Sequence, residues 1–192
     1  LVSGNYFEGL GVRPALGRVF TQDDDQVPGA GQVIVLSHGY WTQRFGADPA
    51  ILNKTLVVNG QLMTVVGVSR AGFDGVQVGQ KPDIFIPITM KAQMTPNWDG
   101  LNDQKDFWLA IIGRLKPGLS PEQAEEALAP IFRQILEAEM PLLSISTAEM
   151  QQRFLDRRIL MDPGARGRAI LQRGVKEPLL VLMGMVGLVL LI

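Results

Sequence analysis

Fourteen consecutive residues without a polar side chain, Leu179 to Ile192 (LLVLMGMVGLVLLI), follow directly on Pro178. No other stretch restricts the surroundings of this chain so strongly. A helix rises ~1.5 Å per residue, so the run covers roughly two thirds of a ~30 Å hydrocarbon core. Pro178 suits the first turn of such a helix, where a backbone donor has no intrahelical partner anyway. No charged or aromatic residue follows to mark a far interface. A buried core helix is the competing reading. The unbroken apolarity favours the first part of a transmembrane helix, with the sequence stopping inside it. The other end is consistent with a piece of a longer membrane protein: Leu1-Val2-Ser3-Gly4-Asn5-Tyr6-Phe7 has no basic n-region, apolar h-region or small-residue cleavage site.

About 175 residues precede the apolar run, enough for one ordinary domain or two small ones. The formal net charge is −1, so no global field argues for nucleic acid or an anionic surface. A local exception lies just before the run. Between residues 153 and 176, Arg153, Arg157, Arg158, Arg166, Arg168, Arg173 and Lys176 stand against only Asp156 and Asp162. Such a cluster beside a membrane helix usually marks the cytoplasmic side. Cysteine is absent, which excludes disulfides and thiolate metal sites.

Along the chain, Ser3 to Leu10 reads as a short helix stopped by Gly11, and Val12 to Phe20 as an irregular extended stretch. Thr21 to Gly31 is a polar loop with three consecutive aspartates. Gln32 to Leu36 is a buried strand; Ser37 caps a helix from His38 to Phe45 that closes at Gly46. Asp48-Pro49 starts a further turn. Lys54–Val58 and Gln61–Val68 flank Asn59-Gly60, the strongest local hairpin signal, because both central residues of a type I′ turn need positive φ. Asp83 to Ile88 predicts a strand and Thr89 to Thr95 a short helix. Residues 97–106 turn polar, a candidate subdomain boundary. Phe107 to Lys116 predicts a strand. Ser120-Pro121-Glu122-Gln123 is a capping box with Pro at the first helical position, opening a helix to about Met140. Arg158 to Met161 predicts a last strand. The order strand, helix, strand after residue 107 is β-α-β in an α+β setting, and the earlier block reads as a separate β-rich unit.

Chemistry has few places to sit. His38 is the one histidine, and a triad needs a nucleophile and an orienting carboxylate beside it. Asp23-Asp24-Asp25 offers the ligand type for Ca²⁺ but lacks the alternating spacing, central Gly and distal Glu of an EF-hand loop; a solvated turn is the better reading. There is no GxxxxGK[ST], and no GxGxxG between a strand and a helix. Trp41, Trp98 and Trp108 are scattered, which suits packing better than a stacking platform for single strands. The residues therefore assign no catalytic, cofactor-binding or metal site, and the expectation is a non-enzyme with no cofactor.

Several stretches taken together resemble the MacB-like periplasmic core domain of FtsX-type ABC transporter permeases. They are Val2-Ser3-Gly4-Asn5-Tyr6-Phe7, Leu10-Gly11-Val12-Arg13-Pro14 and Gly17-Arg18-Val19-Phe20, then Val33-Ile34-Val35-Leu36-Ser37 with Trp41 and Arg44-Phe45-Gly46. Leu56-Val57-Val58-Asn59-Gly60 running into Thr64-Val65-Val66-Gly67-Val68 follows. Arg114-Leu115-Lys116-Pro117-Gly118 with Ala124, and finally Pro178 to Ile192, complete the series. Each piece is weak alone; their order over nearly the whole chain is specific.

The resemblance implies a porter-like split α+β subdomain with an inserted β-rich subdomain, followed by the start of a transmembrane helix. Residues 1–24 and 101–175 would form the two porter-like segments, 25–100 the insertion and 178–192 the truncated helix. It also implies a bacterial inner-membrane location with residues 1–177 facing the periplasm. The basic cluster then lies on the periplasmic side, against the positive-inside tendency, which several helices set jointly. The implied partners are an ABC-type ATPase subunit or domain, a second permease half or copy, a periplasmic adaptor and the lipid bilayer, with no nucleic acid. ATP would be hydrolysed on the separate ATPase and drive transport or mechanotransmission. The family has no catalytic residues in this region. The main rival is a membrane-anchored extracytoplasmic binding module without transport activity, and a hydrolase is a third class.

Overall fold

The computed structural model describes residues 1–101, 108–143, 145, 147–162, 164 and 183. Its architecture is mixed α+β: a five-stranded sheet with short helices, then a helical stretch. The sheet is organised by one strand. β4 (Gln61–Ser69) runs parallel to β2 (Val33–Leu36) along one edge. Its other edge is shared: β3 (Thr55–Val58) pairs antiparallel with residues 61–64, and β1 (Pro14–Gly17) with residues 67–69. β5 (Ile84–Phe85) closes the far side antiparallel to β2.

Asn59 and Gly60 form the two-residue turn between β3 and β4, with φ of 47° and 78° and Val58 opposite Gln61. This is the hairpin that the Asn-Gly pair predicts. A bulge follows on β4: Ile34 pairs with Val65, but the next residue, Val35, pairs with Gly67. An extra residue reverses which face successive side chains point to. Met63 and Val65 therefore lie in the same core as Val68, although their positions differ in parity. Gly67 sits where the backbone of Arg18 crosses; a Cβ there would come within 1.9 Å of the Arg18 carbonyl oxygen.

Strand alternation sends β2 into two cores, since successive side chains point to opposite faces. Ile34 and Leu36 pack with Ile51, Met63, Val65, Val68, Ile86, Met90 and Met94. Val35 packs on the other face with Phe7, Val12, Phe20 and Phe85. That second core is aromatic, with Phe7 set edge-on to Phe20 and Phe85 at 5.7 and 5.2 Å. Tyr6 joins it, and burial raises its phenol pKa, partly offset by a hydrogen bond with the Val76 backbone. Residues 1–24 thus supply a strand of the sheet and three of the buried residues of this core.

Helix boundaries follow their caps. α1 (Tyr6–Leu10) starts later than the expected Ser3 and ends on left-handed Gly11. α2 (His38–Phe45) has the expected Ser37 cap, whose hydroxyl accepts from Tyr40 N, and ends at Gly46. Asp48 caps the short 3-10 turn Pro49–Ile51 in the same way. A 3-10 turn at Ile88–Met90 leads into α3 (Lys91–Met94). α4 (Pro121–Glu139) opens on the Ser120/Gln123 capping box. α5 (Ala148–Leu155), capped by Thr147, was not expected from the sequence.

Four expectations are corrected. Val12 to Phe20 is not irregular throughout, because β1 lies within it and gains a partner only from β4, some fifty residues on. Asp83 to Ile88 shortens to the two residues of β5, with Pro87 bridged to Val2 beyond it. For Phe107 to Lys116, the described part (108–116) forms no strand. Its residues have strand propensity, but no described strand lies alongside to take their backbone hydrogen bonds, and Ile111 is 97% exposed. Arg158 to Met161 likewise forms no strand; Met161 N donates to the Glu125 carboxylate at 2.6 Å instead of to a ladder. The apolar run Leu179 to Ile192 lies outside the described residues except for Met183. Among the described residues, no helix is long and apolar enough to cross a membrane.

Candidate functional site

The three aspartates singled out in the sequence each accept hydrogen bonds from other groups of the chain. They are placed by a capping box at Thr21. Asp24 accepts from Nη1 and Nη2 of Arg18, at 2.6 and 2.8 Å, and from the Thr21 backbone N–H at 2.8 Å. The Arg18 hydrogen bond holds the Asp24 carboxyl below the ordinary carboxylate range; burial opposes this and the Thr21 N–H adds to it. Asp25 points the other way, accepting from Gly4 N at 2.9 Å and from Thr89 N and Oγ1 at 3.0 and 2.9 Å. Asp23 accepts from the Gln26 side chain. These three carboxylates serve three separate sets of neighbours. Among the described residues, no three His, Cys, Asp or Glu side chains converge as a metal site.

His38 occupies the first turn of α2, edge-on to Trp41 at 5.6 Å and 3.5 Å from the Thr42 hydroxyl. The hydroxyl in those contacts, Thr42 Oγ1, donates to the His38 backbone carbonyl at 2.8 Å, and no carboxylate is among them. A shallow depression of about 340 Å³, open to solvent, lies between Phe45, Asp48, Ile51, Lys54 and Leu56.

A different place gathers the chain. Residues 86–98 form a junction on which four distant segments meet. Val2 N donates to Ile86 O and Ile88 N to Val2 O, at 2.9 and 2.8 Å. Asp25 grips Thr89 as described, and Gly29 N donates to Thr89 O. The hairpin tip arrives from the far end of the sheet, where Asn59 Nδ2 donates to Met94 O at 3.0 Å. The fourth contact is made by Lys91, only 3% exposed. Its ammonium donates to Thr95 Oγ1 and stands 4.1 Å from the Trp98 ring centre and 5.0 Å from that of Trp108. The two indoles meet edge to face at 5.5 Å.

Local chemistry explains how the cage forms. Thr95 Oγ1 donates to Trp98 O, fixing the turn after α3. Gly100 then reverses the chain at φ 62°, where a Cβ would strike the Trp98 ring at 2.7 Å. Trp108 Nε1 donates to Gly100 O at 3.1 Å. A buried ammonium needs partners, and π faces together with a hydroxyl provide them here. Sequence reading took Trp98 and Trp108 as scattered packing residues and did not mark Lys91 at all. Their separation in sequence hides the cluster; only the fold brings residue 108 back over α3.

The arrangement is thus an α+β module whose distinctive polar contacts join segments of one chain rather than surround a substrate. The sequence profile of the MacB-like periplasmic core domain matches residues 1–131, and the chain belongs to that family. Several solved structures are similar, among them these two. The periplasmic region of MacB from Actinobacillus actinomycetemcomitans is 23% identical with a TM-score of 0.44, covering 69% of this chain; the chain spans 54% of its length. A domain of a putative permease protein from Porphyromonas gingivalis is 21% identical with a TM-score of 0.43, covering 81% of this chain and 70% of that one. No curated protein matches the sequence.

Proposed function

We propose that this chain is the extracytoplasmic part of an ABC transporter permease, which couples ATP hydrolysis on a separate ATPase to transport or mechanotransmission across the bacterial inner membrane. The observation that carries this reading is the family match over residues 1–131. The run Leu179 to Ile192 supports a membrane helix following the domain, since a helical backbone satisfies its own hydrogen bonds in lipid. The partners in this reading are the ATPase subunit or domain, a second permease half or copy, a periplasmic adaptor and the bilayer. The chain itself is not an enzyme in this reading. His38 set against Trp41 and Thr42, and aspartates engaged with Arg18, Gly4 and Thr89, support that.

The porter-like organisation in two segments, 1–24 and 101–175, with 25–100 inserted, belongs to the same proposal. Arg114 Nη2, donating to Gly9 O at 3.3 Å across 105 residues of sequence, supports a direct association of those segments.

The test uses the natural lack of cysteine. Single cysteines at the exposed positions Gln43 and Glu126, introduced into the full-length protein, are treated with a membrane-impermeant maleimide in cells whose outer membrane alone is permeabilised. Labelling at both sites is expected. Labelling only after the inner membrane is opened places the domain in the cytoplasm and ends the permease reading.

A further inference from the structure

The buried lysine at the junction calls for a reason, because an aliphatic side chain of similar length fills such a space without bringing a charge out of water. The two rings that receive it come from both sides of residues 102–107. Trp98 belongs to the end of the sheet unit, whereas Trp108 opens the stretch that leads to α4. Besides the continuous chain, the described polar links between these two parts include this cage, the Trp108 Nε1 to Gly100 O hydrogen bond and the Arg114 to Gly9 hydrogen bond. The 108–116 stretch forms no strand with the sheet, so no ladder fixes it there.

We propose that Lys91, Trp98 and Trp108 form a reversible latch that fixes the helical part of the chain, α4 and α5, to the sheet unit. A lysine suits a latch that must open. Its four-carbon stem packs against the rings while closed, and on opening its ammonium turns out to water. Water then replaces the π faces and the charge is not stranded. A purely apolar clamp exposes its whole surface on opening and is correspondingly harder to release. Closed, the latch passes displacement of α4 to α3, and from there to the segments bonded at Ile86, Thr89 and Met94. Open, the two parts move separately. This goes beyond the transport reading and does not depend on it, since it concerns two parts of one chain.

The experiment is a distance measurement on the full chain, with spin labels on Gln43→Cys in the sheet unit and Glu126→Cys on α4, both exposed. Pulsed electron resonance reads the width of the distance distribution. Amide hydrogen exchange in β4 reads the integrity of the sheet. Lys91→Ala removes both the stem and the charge; Trp108→Leu removes one ring. The expected result is at least a doubling of the width in each variant, no further increase when the two are combined, and unchanged exchange in β4. Unchanged widths overturn the latch, and so does broadening in only one variant, because both halves are needed to close it. Broadening accompanied by faster exchange in β4 also overturns it, showing the cage to be ordinary core of the sheet unit.

Discussion

The sheet unit (1–101) and the described helical region (108–162) use similar residues to very different ends. Of the buried apolar residues among those described, all but Ala124, Leu136 and Phe154 lie before residue 95. The helical region instead leaves Leu109, Ile111, Ile112, Leu128, Ile131, Ile135 and Leu160 exposed. Its main helix carries Pro130 in its interior, which removes one backbone donor from the helical ladder. The difference teaches where stability resides. Two cores on opposite faces of one sheet are closed by contacts between distant parts of the sequence. A capped helix with an apolar stripe is locally well specified but has buried little.

The largest expected effect is in the sheet cores. Leu36→Ala should cost about 2–5 kcal/mol, as for other fully buried leucines, whereas Ile131→Ala on α4 should stay within about 0.5 kcal/mol. Urea denaturation of the two variants checks the pair. A cost for Ile131→Ala above about 1 kcal/mol would mean that this face is covered, and the contrast between the regions would fail.

Two glycines sharpen the comparison within the sheet. Gly67→Ala should cost about 1–3 kcal/mol, because the new methyl meets fixed backbone at Arg18. Gly60→Val should cost roughly 1–2 kcal/mol from its positive φ alone, as nothing crowds that site. Thermal melting distinguishes them from each other, and an unchanged melting temperature for Gly60→Val counts against the type I′ turn.

Helix caps come next. Ser37→Ala and Ser120→Ala each lose a hydroxyl acceptor for an N-terminal amide, worth about 1 kcal/mol. The first should lower the global unfolding free energy. The second should raise amide exchange only in the first turns of α4, leaving β4 protected. Loss of protection in β4 in the Ser120 variant would show the two regions to be one cooperative unit.

The smallest effect depends on pH. Asp24 titrates below its ordinary value in the folded chain, chiefly because of the Arg18 hydrogen bond. The folded state therefore binds its proton less readily than the unfolded state does. The resulting stability is present above the ordinary carboxylate pKa of ~3.9 and is lost as pH falls through the lower folded value. Arg18 is half exposed, so the contribution should be under about 1 kcal/mol. Asp24→Asn should flatten the difference in stability between about pH 5 and pH 3; an identical pH profile removes the role given to this pair.

Those effects also separate local causes from distant ones. Ser37 and Gly46 bracket α2, Asn59-Gly60 sets the hairpin, and Ser120-Pro121-Gln123 opens α4, because each is a hydrogen bond or a dihedral decided within a few residues. The family, too, was legible in the order of its short motifs. Partner choice was not. β1 is a strand only because β4 comes to lie beside it, while residues 108–116 have the composition of a strand and find no such neighbour. Likewise Lys91, Trp98 and Trp108 are ordinary residues until the chain reverses at Gly100. Propensity and capping act over a few residues, whereas strand pairing and the burial of a charge depend on what another part of the chain brings alongside, which no local signal contains.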